Sequence, residues 1–414
     1  MAFPDQQKSR TKHLSPALDK QLLLISEKCT QCQACVRECA FLSRHGSPKN
    51  IADSYNPDER QFLDIPFKCS LCNLCSAVCP EEINPAEMFL EMRREAFDRG
   101  AKDLSEHRRL RNFEKKGTSK RFSWYALPED CDTIFFPGCA LSGSRSETTL
   151  KVFEQLQKKM PSIGIVLDCC TKPSHDLGDE DHFNAMFGEM KDYLLSQGIK
   201  TVLLACPNCH LVFSRYGSEL QPRTIYEELE QIDFPAAPSS EAVTIHDPCT
   251  ARFNLPAQDA VRRLLKNKNL QIEELPHSGK KTFCCGEGGA VNFLAPELAT
   301  HWGQKRIDEA NGRSIVSYCS ACTEKLGAQT QTSHILDLLF DENAKIAKPP
   351  LTYFKRLKLK KYLQDNFQAT VTRERTFQGT SKYQLKKSIK LHRLILTGSL
   401  VLLSLFFISQ AWTL

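Results

Sequence analysis

The chain has 414 residues, 41% of them hydrophobic and 25% charged, values typical of two or three folded domains that exclude a disordered chain. Its 19 cysteines do not suit a secreted disulfide scaffold, because such scaffolds are usually short chains. Residues 1–20 are also polar and lack the apolar stretch of a signal peptide. A reducing compartment is therefore predicted, where clustered cysteines indicate metal ligands. The formal charge of +6 is uneven, because residues 345–393 carry 14 Lys and Arg against two acidic residues.

Two cysteine runs of identical spacing come first along the chain. The pattern Cys-x2-Cys-x2-Cys-x3-Cys occupies residues 29–39 and again 69–79, and Pro80 follows the second run whereas Ala40 follows the first. Thiolates at this spacing can surround an iron–sulfur cube. Zinc is the alternative, since Cys-x2-Cys pairs also bind zinc, but two identical four-cysteine runs favour iron.

These runs resemble the signature of bacterial two-cluster ferredoxins, in which the fourth cysteine of each run binds the other cluster. The resemblance implies one 4Fe–4S cluster on Cys29, Cys32, Cys35 and Cys79, and a second on Cys69, Cys72, Cys75 and Cys39. The long insert at 40–68 and the helix predicted over 85–94 are similar to the α-helical ferredoxin domains of respiratory dehydrogenases and heterodisulfide reductases. We predict a ferredoxin-type electron relay at 20–100 and a linker at 101–130.

A duplicated cysteine pattern follows. Five cysteines of the first half recur in the second at offsets of 110 to 115 residues: Cys139, Cys169, Cys170, Cys206 and Cys209, then Cys249, Cys284, Cys285, Cys319 and Cys322. Short apolar runs before these cysteines predict strands, and amphipathic stretches such as 148–159 predict helices between them. Because ligands collect at the carboxyl ends of strands in open α/β sheets, each half should bring five thiols together. We predict two homologous α/β domains, at 131–236 and 242–340.

The duplicated pattern resembles the cysteine-rich CCG domain of heterodisulfide reductases and of the iron–sulfur subunits of anaerobic glycerol-3-phosphate, glycolate and lactate dehydrogenases. In heterodisulfide reductases each half holds a noncubane 4Fe–4S cluster and disulfide substrates are cleaved between the two, so the resemblance implies one or two such clusters in this chain. The second half fits fully and has Gly286 after its cysteine pair. In the first half Thr171 replaces that glycine, so the geometry of its cluster is left open.

Three further residues lie beside these groups. His246, next to Asp247, is a candidate proton donor to a leaving thiolate, and a structural histidine at a strand end is the alternative. His210 has the same two interpretations, and Cys131 lacks partner spacing, so a small buried side chain is expected there. No Gly-x-Gly-x-x-Gly motif opens a helix after a strand, which predicts no flavin or nicotinamide of the chain's own.

The C-terminal residues predict a basic linker at 341–390 and a single-pass membrane anchor at 391–412. Residues 394–408 carry no charge, Trp412 suits the far interface, and Lys386, Lys387, Lys390 and Arg393 suit the near one. A buried core helix or a surface helix is the alternative. The flank of positive charge places the bulk of the chain at the cytoplasmic face of the membrane and favours lipid over nucleic acid as its neighbour.

The predicted fold class is α+β multidomain: an α-helical two-cluster ferredoxin domain, two α/β CCG halves and a C-terminal transmembrane helix. Three functions remain open. The first is a heterodisulfide-reductase-like oxidoreductase acting on a disulfide. The second is an electron-transfer subunit that links a partner flavoprotein to membrane quinone, and the third is a structural zinc protein.

Overall fold

The computed structural model describes residues 14–100, 104–236, 242–340 and 351–379. Its N-terminal part is helical: α1 (Pro16–Lys28), α2 (Ala34–Glu38), α3 (Ala40–His45), α4 (Pro48–Ser54), α5 (Arg60–Asp64), α6 (Leu74–Ala77), α7 (Pro85–Asp98) and α8 (Arg108–Gly117). The long helices start at clear sequence signals, because Ser15 and Asn84 accept hydrogen bonds from the first-turn amides and proline follows each of them. Helix α1 packs on α4 and α7 through Leu18, Leu22 and Ile25.

A six-stranded sheet forms the centre of the first half. Its strands are β1 (Trp124–Leu127), β2 (Thr133–Phe136), β3 (Gly164–Leu167), β4 (Thr201–Leu204), β5 (Pro222–Thr224) and β9 (Val371–Arg373), in the order β5-β4-β2-β3-β1-β9. Strands β2 to β5 run parallel, whereas β1 is antiparallel to β3 and to β9. The helices of this half are α9 (Leu141–Ser144), α10 (Ser146–Lys159), α11 (Lys172–Asp176), α12 (Glu180–Ser196), α13 (Pro207–Tyr216) and α14 (Ile225–Leu229).

A three-stranded parallel sheet forms the second half. Strands β6 (Val243–His246), β7 (Ser314–Ser317) and β8 (Thr332–His334) are ordered β6-β7-β8. Helices α15 (Leu255–Asn267), α16 (Pro296–Ala310), α17 (Ser320–Gly327) and α18 (Ile335–Phe340) accompany them. The halves share one apolar core, in which the rings of Tyr226 and Tyr318 lie 5.6 Å apart between centroids.

The range 341–390, interpreted above as a basic linker, contains regular structure in its described residues. Helix α19 (Leu351–Asn366) packs on α9 and α10, and β9 adds an edge strand to the first sheet. Lys360 is buried and donates to the carbonyls of residues 120, 121 and 123 at 3.0 to 3.3 Å and to Glu374 at 2.6 Å. Its positive charge is therefore satisfied inside the fold rather than in solvent.

The predicted fold class, α+β with a transmembrane helix, is wrong. The described residues form a mixed α/β fold, because strands such as β3 are buried along their whole length and alternate with covering helices. Among these residues, no helix combines the length and the apolar character needed to cross a membrane. The anchor predicted at 391–412 lies outside the described residues. The location at the cytoplasmic face of a membrane and the domain bounds stay predictions.

Candidate metal centres

The two ferredoxin-type runs share an unusual backbone. In each run the residues on either side of the second cysteine are left-handed without being glycine: Gln31 and Gln33 around Cys32, and Leu71 and Asn73 around Cys72. A left-handed residue with a Cβ costs roughly 1–2 kcal/mol, so this conformation persists only where the surrounding structure imposes it. Here it folds each run around a cavity lined by its own thiols.

The fourth cysteine of each run crosses to the other group. Cys79 lines the cavity of Cys29, Cys32 and Cys35, whereas Cys39 lines the cavity of the second run: Cys69, Cys72 and Cys75. The structure thus brings together the two sets that the ferredoxin resemblance implies, and their role as ligands stays a prediction. The two groups also differ in exposure, because Cys32 is exposed whereas Cys69, Cys72 and Cys75 are buried.

The chemistry of these donors fits iron–sulfur clusters. Burial, together with the neighbouring thiols, raises the pKa of Cys35 to about 11 and that of Cys69 to about 12. Thiols in such surroundings are deprotonated only when a cation compensates the charge, which bound iron does. We call the groups of Cys29 and Cys69 ferredoxin sites 1 and 2.

The first CCG site lies at the carboxyl ends of three neighbouring strands. Cys139 comes three residues after β2, the pair Cys169–Cys170 closely follows β3, and Cys206 precedes α13, which carries Cys209. The sulfurs of Cys139 and Cys169 are 3.7 Å apart. Gly138 lets the main chain before Cys139 lie close to Cys206 and Cys209, because a Cβ at its left-handed position would lie 3.1 Å from the Cys209 sulfur.

The second CCG site repeats this arrangement on β6 and β7. Cys249 follows β6, Cys319 and Cys322 lie at the start of α17, and the Gly286 amide donates to the Cys284 sulfur at 3.3 Å. All five of its cysteines are buried.

The residue after each cysteine pair is left-handed, with φ of +94° at Gly286 and +55° at Thr171. Glycine is required in the second half, because a Cβ there would lie 2.1 Å from the Ala299 carbonyl oxygen. Thr171 adopts the same class of backbone with a side chain present. The departure from the family pattern in the first half therefore preserves the turn.

His246, His210 and Cys131 lie in three different settings. A ring nitrogen of His246 and the sulfurs of Cys285 and Cys322 all lie within 4.8 Å of one another, and burial lowers the pKa of His246 to about 3. The ring of His210 lies 3.3 Å from the side-chain amide nitrogen of Asn254, which is a polar contact. The Cys131 thiol donates to the Thr133 carbonyl at 3.3 Å.

Ferredoxin site 2 lies against the second CCG site. A Cβ on Gly288 would lie 2.8 Å from the Ser70 carbonyl oxygen and 3.4 Å from the Cys284 sulfur. Two buried arginines join the same surfaces. Arg93 donates to the carbonyls of Cys69 and Gly289 at 2.6 and 2.9 Å, and Arg252 donates to that of Cys72 at 2.9 Å.

The two CCG sites also adjoin each other. The Asn208 amide donates to the Cys319 sulfur at 3.8 Å, which links the helix after Cys206 to the second site. The Tyr226 hydroxyl donates to the carbonyls of Ala205 and Tyr318, at 2.9 and 3.1 Å, and so bridges the residues that precede Cys206 and Cys319. The four thiol groups therefore follow one another in space: ferredoxin site 1, ferredoxin site 2, the second CCG site and the first CCG site.

A buried arginine from α19 covers the first CCG site. Arg356 donates to the Gly117 carbonyl at 3.0 Å, and a Cβ on Gly117 would touch both Arg356 and the Cβ atoms of Cys139 and Cys169. No acidic side chain of the described residues lies within ion-pair distance of Arg356. Its positive charge favours the thiolate form of Cys139. Sequence reasoning missed this residue, because it lies in a basic stretch that has the composition of a solvated linker.

The four groups of cysteines define an iron–sulfur protein built from a ferredoxin-type domain and two cysteine-rich halves. Comparison with known families agrees. The model of a 4Fe–4S dicluster domain matches residues 28–84, and that of the cysteine-rich domain, CCG, matches residues 133–214 and 243–327. The chain is therefore a CCG-domain iron–sulfur protein, related to one of the subunits of heterodisulfide reductase.

Three relatives illustrate the range of this similarity. One of the subunits of the CoM/CoB fumarate reductase of Methanothermobacter marburgensis is 26% identical over 75% of this chain and 71% of its own length. One of the subunits of the dihydromethanophenazine:CoB–CoM heterodisulfide reductase of Methanosarcina barkeri is 22% identical over 73% and 89%. The EtfAB:quinone oxidoreductase of Syntrophomonas wolfei is 22% identical over 66% of this chain and 45% of its own length. The chain is thus an iron–sulfur electron-transfer protein of the kind found as subunits of oxidoreductases.

Proposed function

We propose that this chain takes electrons from a partner flavoprotein and delivers them to its CCG sites, where a disulfide is reduced to two thiols. The observation that carries the proposal is the unbroken order of the four thiol groups. When bound there, 4Fe–4S clusters supply one-electron redox centres. The set of Cys29, Cys32, Cys35 and Cys79 would hold the first cluster, and the other three sets would hold theirs as described above.

The two ends of this order differ from its middle in exposure. Cys32 of ferredoxin site 1 is exposed, and Cys139 and Cys206 of the first CCG site are half-buried. Cys72 of ferredoxin site 2 and Cys284 of the second CCG site are buried. Partner docking at one end and substrate access at the other fit this pattern, with the buried residues between them excluding water.

The overall reaction is balanced by two electrons and two protons: one disulfide bond breaks and two thiols form. The partner supplies the electrons, and solvent supplies the protons at the half-buried end. Asn208 and Tyr226 hold the two CCG sites side by side, which supports a substrate that meets both. The similarity to a heterodisulfide reductase favours this reaction.

A second function has a separate support. The relative from Syntrophomonas wolfei is named as a quinone oxidoreductase, so electrons could pass through this chain to a quinone with no disulfide involved. The same cysteines would then act as an electron-transfer path without a catalytic site of their own.

Stopped-flow mixing separates the two functions. The anaerobically purified chain is reduced and mixed either with a low-molecular-weight disulfide or with a soluble quinone, and the change in cluster absorbance is recorded. We expect fast oxidation by the disulfide and release of two thiols per disulfide. Oxidation by the quinone alone would replace the first proposal with the second.

A pair of variants gives the control. Cys139→Ser removes a predicted ligand of the first CCG site and should abolish oxidation by the disulfide. Cys131→Ser alters a thiol that contacts the Thr133 carbonyl and should leave the reaction unchanged. Equal rates in both variants would contradict a reaction at the first CCG site.

A further inference from the structure

His246 has no hydrogen-bond partner for either ring nitrogen among the described residues, although it is fully buried. A buried polar group without a partner costs roughly 1–3 kcal/mol, so its retention needs a compensating interaction. Two other buried histidines show the usual solution. His175 contacts Asp176 and Tyr216 at 2.9 and 2.8 Å, and His334 accepts from the Leu336 amide at 3.2 Å.

The neighbouring carboxylate does not supply that interaction. Asp247 receives two hydrogen bonds from Arg262 at 3.1 and 2.9 Å, one from the Tyr318 hydroxyl at 3.0 Å and one from the Gly279 amide at 2.7 Å. None of these hydrogen bonds involves the imidazole. The carboxylate therefore fixes the loop around the site and leaves the ring of His246 to other contacts.

Two thiols lie beside the ring, and the buried Arg306 is also close enough to act on its charge. A ring nitrogen of His246 and the sulfurs of Cys285 and Cys322 lie within 4.8 Å of one another, close enough for all three to bind one metal ion. The main chain at His246 is held in place, because it pairs with Ser317 in the sheet and its carbonyl accepts from the Ser317 hydroxyl at 3.1 Å. Imidazole nitrogen and thiolate sulfur are both ligands that iron accepts.

The first CCG site has a different residue at this place. Phe136 ends β2 three residues before Cys139, as His246 ends β6 three residues before Cys249. The Phe136 ring packs edge-on against Phe213, with centroids 5.3 Å apart. The duplication has thus kept the five cysteines in both halves and placed an imidazole beside them in one half.

We propose that His246 is a ligand of the metal group in the second CCG site, bound through a ring nitrogen beside Cys285 and Cys322. This inference rests on the proposed function, because it assigns a further ligand to one of its redox sites. The second CCG site then has nitrogen and sulfur donors, whereas the described residues around the first CCG site supply sulfur.

Pulsed EPR of the reduced full-length chain tests the ligand directly. Growth with 15N-labelled histidine changes the nitrogen hyperfine pattern only where a histidine contacts the paramagnetic group. We expect a strong, label-sensitive coupling in the wild type. Its absence, in protein that contains the iron and sulfide of all four sites, would overturn the assignment of His246 and leave the proposed function standing.

Variants assign the coupling to one residue. His246→Phe copies the residue of the first half and should abolish the coupling, and His246→Cys offers a thiol in its place, so the iron count is retained without the nitrogen signal. His210→Phe is the matched control and should keep the coupling. Persistence of the coupling in either His246 variant would overturn the proposal. Stoichiometric zinc in place of iron in the wild type would overturn this proposal and the proposed function together.

Discussion

Replacing Gly289 by alanine should damage the contact between ferredoxin site 2 and the second CCG site. Gly289 is left-handed, with φ of +61°, and its carbonyl accepts a hydrogen bond from Arg93. A Cβ at this position would lie 2.7 Å from the Cys69 carbonyl oxygen and 2.8 Å from the Ser70 carbonyl carbon. Both atoms are main chain, so they cannot move aside as a flexible side chain would.

The free-energy cost has two parts. A left-handed alanine costs roughly 1–2 kcal/mol, and overpacking against fixed main-chain atoms adds about 1–3 kcal/mol. Gly289→Ala should therefore lower the free energy of unfolding by about 2–5 kcal/mol. Gly198 offers a matched control, because its φ is +79° and a Cβ there would meet no atom within 4 Å. Gly198→Ala should show the conformational part alone.

The assay is anaerobic urea unfolding of both variants and the wild type, followed by far-UV circular dichroism. Stopped-flow absorbance then reports how fast electrons given to the ferredoxin sites reach the CCG sites. We expect Gly289→Ala to be less stable than Gly198→Ala by about 1–3 kcal/mol and to be the slower of the two in electron transfer. Equal stability and equal rates would refute the close packing of these two sites.

Three further variants test other contacts. Arg356→Gln removes the buried positive charge beside Cys139 and should lower the midpoint potential of the first CCG site in an EPR-monitored redox titration. Arg356→Lys keeps the charge and should keep the midpoint potential of the wild type. Identical potentials in the two variants would contradict the role of the charge. Tyr226→Phe leaves two carbonyls without their donor and should cost about 1–3 kcal/mol in urea unfolding, and no loss would argue against the bridge between the halves. Cys131→Ser should retain the full iron content, and a loss of iron would make Cys131 a ligand.

Cysteine spacing, together with the family resemblance that it carries, predicts which thiols the structure brings together. The crossing of Cys39 and Cys79 between the two ferredoxin sites follows from the resemblance to two-cluster ferredoxins, and the structure brings the same thiols together. The convergence of five thiols at strand ends follows from alternating strands and helices. These features are local or repeated in sequence, so pattern reasoning can reach them.

The spatial order of the four sites could not be predicted from sequence patterns. Packing of Ser70 against Gly288 and Gly289 decides that ferredoxin site 2 adjoins the second CCG half, although the first half follows it in sequence. No spacing links these residues, because the contact depends on tertiary packing. The buried arginines Arg93 and Arg252 donate to main-chain carbonyls across the same contact. Nothing in the sequence distinguishes them from arginines that are exposed to solvent.

The C-terminal stretch shows how composition can mislead. Residues 351–366 are rich in Lys and Arg, which usually remain in solvent. In the structure Arg356 and Lys360 turn inward and donate to carbonyls near residues 117 and 120–123, which leaves α19 packed over the first CCG site. A basic side chain can be buried where the fold places carbonyl acceptors around it. The spacing of charges along the sequence does not predict where those acceptors lie.

The central claim is that one chain holds four iron–sulfur groups, each next to the following one. Iron, acid-labile sulfide and zinc counts on anaerobically purified wild type, with Cys79→Ser and Cys322→Ser beside it, test them most directly. We expect about sixteen iron per chain in the wild type, from four clusters of four, and a loss of about four iron in each variant. Stoichiometric zinc without visible absorbance, or an iron content that neither substitution changes, would contradict it.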